Sequence, residues 1–147
     1  MIPRVFVTGV GVVSSIGFGR RAFFQALEAG TSGISPVTAF DSSRMGRHFA
    51  GEVKGFIPRD HLTRSELHRV GRCSAMAIAA ARMAVADACL DQTLVPARTA
   101  VVLGTTMGEA DILGALERAW IVHGVEAVSR PGITKYGSTL LPIHVAG

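Results

Sequence analysis

Cysteine is scarce in this chain, aromatic residues are few, and no long uncharged apolar run occurs. The two cysteines, Cys73 and Cys89, fall on one predicted helix, sixteen positions apart. That is roughly 24 Å along a helix axis, far beyond disulfide reach. They form no C-x-x-C pair, so they read as small buried hydrophobes in a reducing compartment, and a cytoplasmic protein is expected. Aromatics make up 6% of the residues, and Tyr136 is the single tyrosine. No secretory leader is expected, because Met1 to Arg4 leads straight into a β-branched run with no A-x-A-like site. The strongest membrane candidate, Cys73 to Leu90, carries Arg82 and Asp87 and is dominated by alanine. Charges inside a span are costly, so it reads as a buried helix of a soluble fold. The five histidines make no H-E-x-x-H spacing and no Walker-type loop is present. Neither a metal nor any other cofactor is implied.

What is present is a globular α/β composition: 48% hydrophobic, 18% charged and 17 Gly in 147 residues. That length fits one domain able to bury roughly 68–70% of its unfolded surface. The mean hydropathy of +0.37 is high for a soluble domain and implies deep burial or an apolar partner surface. The net charge of +4 is unevenly placed. Arg44, Arg47, Lys54, Arg59, Arg64, Arg69 and Arg72 face only Glu52, Asp60 and Glu66, so this segment holds the whole excess. A local basic field points to an acidic partner; the plainer alternative is a solvated face.

Val5-Phe6-Val7-Thr8-Gly9-Val10 has no clean alternation and predicts a strand buried on both faces. A small-residue loop follows, then a helix from about Arg20 to Ala29 that Gly30 stops. Thr31 to Arg59 is rich in breakers and predicts an irregular excursion with a short strand at Phe49–Val53. Thr63 and Glu66 predict a capping box for a helix over Arg64–Val70. Arg72 to Leu90 is the strongest helix, alanine-rich and apolar nearly all round, as in helices with neighbours on several sides. Val101-Val102-Leu103 predicts a second buried strand. After Glu109 a helix runs to about Val122, with Ile112, Leu113, Leu116 and Trp120 on one face. Val125 to Gly137 reads as loop, and Thr139 to Gly147 as an apolar helix that tolerates Pro142 in its first turn. There is no internal repeat.

Gly9-Val10-Gly11-Val12-Val13-Ser14 is similar to a dinucleotide fingerprint. Its sixth position is Ser14 instead of Gly or Ala, and the acidic residue at 28 sits inside a predicted helix, not after a strand. The Thr8-Gly9 opening is similar to short-chain dehydrogenases, yet no Tyr-x-x-x-Lys pair follows. A nucleotide-binding oxidoreductase stays only as a distant alternative. Cys73 and Cys89 lie in apolar surroundings that disfavour a thiolate, so neither is assigned catalysis.

Taken in order, the motifs resemble one family. Arg4 to Gly17 resembles the opening "R-V-V-V-T-G-x-G-x-V-S-P-x-G" of β-ketoacyl-[acyl-carrier-protein] synthases. Ala29-Gly30-Thr31-Ser32-Gly33-Ile34 resembles their "A-G-x-S-G-I". Phe40-Asp41 and Ala50-Gly51-Glu52-Val53 recur in the same order, Val101 to Gly108 resembles "V-x-x-G-T-G-x-G", and Leu141 to Gly147 resembles "L-P-N-M-A-A-G". The resemblance implies a thiolase-like α/β fold, of which residues 1–147 form the incomplete N-terminal half with a central buried Ala-rich helix. It implies a decarboxylative Claisen condensation of an acyl thioester with malonyl-carrier protein, in fatty acid or polyketide synthesis. The family's nucleophilic cysteine, in "T-A-C-[AS]-x-G", and two histidines are expected beyond Gly147. No catalytic residue is therefore assigned here, and the isolated chain is expected to be inactive.

Other positions carry over. Thr106, Met107 and Gly108 match the segment that lines and gates the acyl pocket, where a flexible thioether suits a lipid; the alternative is core packing at a strand end. Arg64, His68 and Arg69 match basic positions of a helix that docks the acidic acyl carrier protein. A homodimer, or a heterodimer with another synthase subunit, is implied; no nucleic acid or membrane is expected as partner. Ser65 stands where a docking Lys is common, Val70-Gly71-Arg72-Cys73 replaces "M-D-R-F", Thr106 replaces Gly and Ser15 replaces Pro. These departures also fit a non-catalytic, chain-length-factor-like partner.

Overall fold

The computed structural model describes residues 4–90, 94–137 and 140–146. These pack as two compact units, one from residues 4–56 and 80–90, the other from residues 57–79, 94–137 and 140–146. The basic segment is thereby divided, with Arg44, Arg47 and Lys54 in the first unit and Arg59 to Arg72 in the second.

In the first unit, β1 (Val13–Ser14) and β2 (Gly17–Phe18) form a tight antiparallel hairpin, Val13 opposite Phe18 and Ser14 opposite Gly17. The Ser14 hydroxyl donates to the Gly17 carbonyl at 3.0 Å and accepts from the Ile16 N–H at 3.2 Å, which closes the turn. Helix α1 (Gly19–Glu28) follows. Its end is a Schellman motif: Gly30, at φ +65°, lets its own N–H reach Leu27 and the Thr31 N–H reach Ala26. A second antiparallel pair joins β3 (Ile34–Pro36) to β4 (Phe49–Gly51), with Ser35 opposite Ala50. Glu52, just past β4, accepts from the Ala39 N–H at 2.8 Å, the Thr38 N–H at 2.9 Å and the Thr38 hydroxyl at 2.8 Å. These donors, Ala39 first, hold its carboxyl below the usual range. Buried Phe56 meets the Phe18 ring at 6.2 Å.

The remainder of this unit is the second half of helix α3 (Arg72–Asp87), and it explains the early glycines. Residues 4–12 form no strand; Val5 is 93% exposed, and no described residue supplies a ladder partner. The predicted strand at Val5–Val10 is thus absent, because β-branched sequence alone cannot make a strand without a neighbour to accept its hydrogen bonds. Gly9 and Gly11 instead lie on α3. A Cβ at Gly9 would overlap the Ala84 carbonyl and come within 2.7 Å of the Ala88 Cβ. One at Gly11 would overlap the Ala80 carbonyl and sit 2.6 Å from the Ala84 nitrogen. Ala80, Ala84 and Ala88 recur every four residues, giving the smooth stripe this approach needs. The Val10 N–H between the glycines donates to Asp87 Oδ2 at 3.0 Å, and Arg20 Nη1 reaches the same oxygen at 3.2 Å.

Helix α3 ends at Asp87, three residues before the predicted Leu90. Cys89 therefore lies outside the helix and is exposed, not buried. It holds φ 55°, while the Cys89 N–H bonds to Ala86 and the Leu90 N–H to Val85. This is again a Schellman ending, with cysteine where glycine is favoured. Left-handed backbone costs a residue with a Cβ about 1 kcal/mol or more. Cys89→Gly is accordingly expected to raise the stability of this unit by about 1 kcal/mol, less the entropy glycine adds to the unfolded chain. The midpoint of urea unfolding checks this; a lowered midpoint would mean that the thiol packs usefully.

The second unit begins with a 3₁₀ turn at Pro58–Asp60 and helix α2 (Arg64–Arg69). The expected capping box is present: the Thr63 N–H donates to Glu66 Oε2 at 2.7 Å and the Glu66 N–H to Thr63 Oγ1 at 3.3 Å. The first half of α3 is the most deeply buried helix, through Ser74, Ala75, Ile78 and Ala79. Leu62, Val70 and Leu141 complete this core.

Residues 99–105 make no strand, and Val102 is 94% exposed, for the reason given for residues 4–12. Helix α4 (Ala110–His123) keeps Ile112, Leu113 and Leu116 half-buried, but Trp120, expected on the same face, is exposed. The stretch read as loop holds a 3₁₀ turn, Val125–Ala127, and helix α5 (Arg130–Tyr136). The Ser129 hydroxyl caps α5 by accepting from the Gly132 N–H at 3.3 Å, and Pro131 sits in its first turn. Pro131 and Gly132 look like breakers, yet Ser-x-Pro is a helix start. Helix α6 (Leu140–Ala146) agrees with the expectation, whose end residues Thr139 and Gly147 lie outside the described residues. No described helix is long and apolar enough to cross a membrane.

Candidate functional site

The positions singled out from sequence all fall in the second unit. Thr105 to Gly108 form a turn before α4, in which the Gly108 N–H donates to Thr105 Oγ1 at 3.0 Å and Gly108 holds φ +56°. Thr106 and Met107 stand out from it, Met107 being 65% exposed. Thr106, Met107 and Gly108 together line an open cavity of about 530 Å³, with Leu103, Tyr136 and Pro142 on its walls. Tyr136, from α5, and Pro142, from α6, are additions that only the tertiary structure supplies.

Arg64, His68 and Arg69 are exposed on α2. His68 and Arg69 share a cleft of about 270 Å³ with Pro131, Thr134, Lys135 and His144, whereas Arg64, one turn earlier, lies outside it. No motif in the sequence points to Lys135 or His144 for this cleft. Recognising Ser129 as a cap would have put Lys135 in the last turn of a helix, where a cation is favoured. Consecutive residues of α5, Lys135 and Tyr136, thus serve the basic cleft and the cavity respectively.

A third feature carries no mark in the sequence. Glu109, at the N-cap position of α4, is fully buried, 0% exposed. Its carboxylate does not cap its own helix. Oε2 accepts from the Cys73 N–H at 2.9 Å and Oε1 from the Ser74 N–H at 2.8 Å, the free donors of the first turn of α3. Burial first, then the charges of Glu109 and Asp111, push the Cys73 thiol up, which keeps that sulfur a poor nucleophile. The neighbouring Ser74 hydroxyl lies 3.4 Å from His144 Nδ1. Among the described residues no cluster of three or more His, Cys, Asp or Glu could hold a metal ion.

Comparison with known proteins gives this geometry its context. The family described as "Beta-ketoacyl synthase, N-terminal domain" matches residues 3–142. The 3-oxoacyl-[acyl-carrier-protein] synthase 2 of Staphylococcus aureus (strain COL) is 36% identical over 120 residues, which are 82% of this chain and 28% of that protein. The chain thus spans little more than a quarter of that relative's length. Among solved structures, the ishigamide ketosynthase/chain length factor is 34% identical with a TM-score of 0.82, over 95% of this chain and 35% of the other. A type II polyketide ketosynthase solved in complex with its acyl-carrier protein is 17% identical with a TM-score of 0.66, over 95% of this chain and 38% of the other, and shares the fold. A family match over nearly the whole chain and the agreement of fold leave one assignment: this chain belongs to the β-ketoacyl synthase family, as part of its N-terminal domain, and has the thiolase-like fold of the ketosynthases.

Proposed function

We propose that this chain is the portion of a carrier-protein-dependent condensing enzyme that receives the acyl carrier protein and lines the acyl chain's path. The observation that carries the reading is the cleft where the cations Arg69 and Lys135 lie with His68 and His144, which shares α5 and α6 with the cavity at Thr106–Gly108. An acidic carrier protein meets the cleft and Arg64, and its thioester-borne chain reaches the cavity, where exposed Met107 offers an adaptable apolar surface. The cysteine that takes up the acyl group, and the two histidines that assist decarboxylation of the malonyl thioester, come from the rest of the enzyme. In the condensation the carbanion left by CO₂ attacks the acyl thioester carbonyl, a C–C bond forms, and the cysteine thiolate leaves. Residues 1–147 alone are inactive on this reading. The enzyme works in the cytoplasm as a dimer, with a second copy or with a related subunit.

A second reading, a chain-length-factor-like subunit without a nucleophile, is favoured by the likeness to the ishigamide ketosynthase/chain length factor and by the departures at Ser15, Ser65, Gly71 and Thr106. Two measurements on the full-length protein test and separate these. Titration with acyl carrier protein is expected to show Arg69→Glu together with Lys135→Glu weakening binding on the order of tenfold to a hundredfold at low salt, and less at high salt. Arg44→Glu, exposed in the other unit, should change nothing. Equal affinities for wild type and the double variant would overturn the docking reading. Incubation with an acyl thioester, followed by mass analysis, should then show an adduct on a cysteine other than Cys73 or Cys89; no adduct would favour the partner subunit.

A further inference from the structure

The N-terminus of α3 has no capping side chain of its own. Its N-cap residue is Gly71, whose carbonyl accepts the first helical bond, from the Ala75 N–H at 3.0 Å. Ser, Thr, Asp or Asn is favoured at such a position, because its side chain satisfies the second or third N–H of the helix. Here both of those N–H groups, on Cys73 and Ser74, are taken by Glu109 from a segment 35 residues further along the chain. The exchange is steric as well as electrostatic. A Cβ at Gly71 would overlap Glu109 Oε2 and come within 2.7 Å of Ile112 Cδ1. Gly71 is bare so that Glu109 can enter, and Glu109 enters because the helix end is otherwise unsatisfied.

A fully buried carboxylate is costly unless each oxygen is satisfied, and two charge-assisted bonds at a positive helix end do this well. A rigid cap could have come from position 71 itself, so the cross-chain arrangement accomplishes something more. Glu109 is peptide-bonded to Gly108, the last residue of the turn that lines the 530 Å³ cavity. Cys73 lies just past Val70 and Gly71, which connect α3 to α2.

We propose that Glu109 is a positioning residue: it ties the cavity-lining turn Thr105–Gly108 to the N-terminus of α3, and so fixes that turn relative to α2. That the turn borders the acyl chain and that α2 receives the carrier protein rest on the function proposed above; the tie itself does not.

Capping and tying can be separated. Glu109→Ala is expected to speed amide hydrogen exchange at Cys73 and Ser74, and also at Gly108, by at least about tenfold. Glu109→Gln, which keeps one of the two acceptor oxygens and puts an NH2 donor in place of the other, should fall between it and wild type, and it serves if the alanine variant folds poorly. Gly71→Asp alone should be destabilising, because its Cβ meets the Glu109 carboxylate. Combined with Glu109→Ala, however, Gly71→Asp should cap α3 and restore protection at Cys73 and Ser74, while Gly108 stays unprotected. Restored protection at Gly108 in the double variant would overturn the tie and leave Glu109 a simple cap. Unchanged exchange at Gly108 in both Glu109 variants would overturn it too. In the full-length enzyme the double variant should also show KM for the acyl thioester raised more than kcat is lowered. If exchange behaves as expected and KM does not move, the positioning stands and the assignment of the cavity to the acyl chain falls.

Discussion

Valine at position 11 is expected to unfold the unit made of residues 4–56 and 80–90. The Cβ of any side chain there meets backbone, not a movable side chain: the Ala80 carbonyl oxygen, the Ala80 carbonyl carbon at 2.8 Å and the Ala84 nitrogen at 2.6 Å. Helix backbone cannot retreat without breaking its own ladder, so residues 4–12 must lift away from α3. The Val10–Asp87 hydrogen bond and the Arg20–Asp87 ion pair, which depend on that approach, loosen with it. Overpacking of this kind costs about 3 kcal/mol or more. Chemical unfolding followed by circular dichroism should show the loss. Gly46→Val, in the same unit with nothing within 4 Å of its Cβ position, should change stability by less than about 0.5 kcal/mol. Equal stability of the two variants would mean that the glycines are not packed on the helix.

Leu141→Ala carries the second large effect. Leu141 is 1% exposed and is among the largest side chains fully enclosed in the described structure. Truncation removes its burial and leaves a cavity that a close-packed core fills only in part, so the loss should be about 3 kcal/mol. Pro142 and His144, on the same helix, line the larger cavity and the basic cleft, so both should be perturbed with it. Ile143→Ala, one register step away and exposed, is the control and should cost under about 0.5 kcal/mol. If Leu141→Ala proved as mild as Ile143→Ala, α6 would not be anchored in the core.

Local chemistry was legible where it was self-contained. The capping box of α2 needs only Thr63 and Glu66, three residues apart, and α1 ends at a glycine that supplies its own left-handed turn. The helices at Arg72 and Ala110 declare themselves by length and composition. The short strand at Phe49 was visible, but its partner Ile34–Pro36 was not, because three residues carry too little periodicity. The strands expected at Val5 and Val101 failed for the opposite reason. Their sequences favour a sheet, yet no described strand lies beside them. Helix α5 was lost because Pro131 and Gly132 outweighed the Ser129 cap.

By itself the sequence determined the family, through ordered motifs from Arg4 to Gly147, and the residues of the cavity turn and of the exposed basic helix. Such motifs are read along the chain, and each is complete within a few residues. The tertiary structure alone decided that Gly9 and Gly11 serve helix packing, that Lys135 and His144 join His68 and Arg69, and that Glu109 caps a helix beginning 37 residues before it. Each of these is a contact between segments far apart in the chain. A glycine, a lysine or a buried carboxylate carries no local mark of what it meets, because desolvation and steric fit are properties of the partner as much as of the residue.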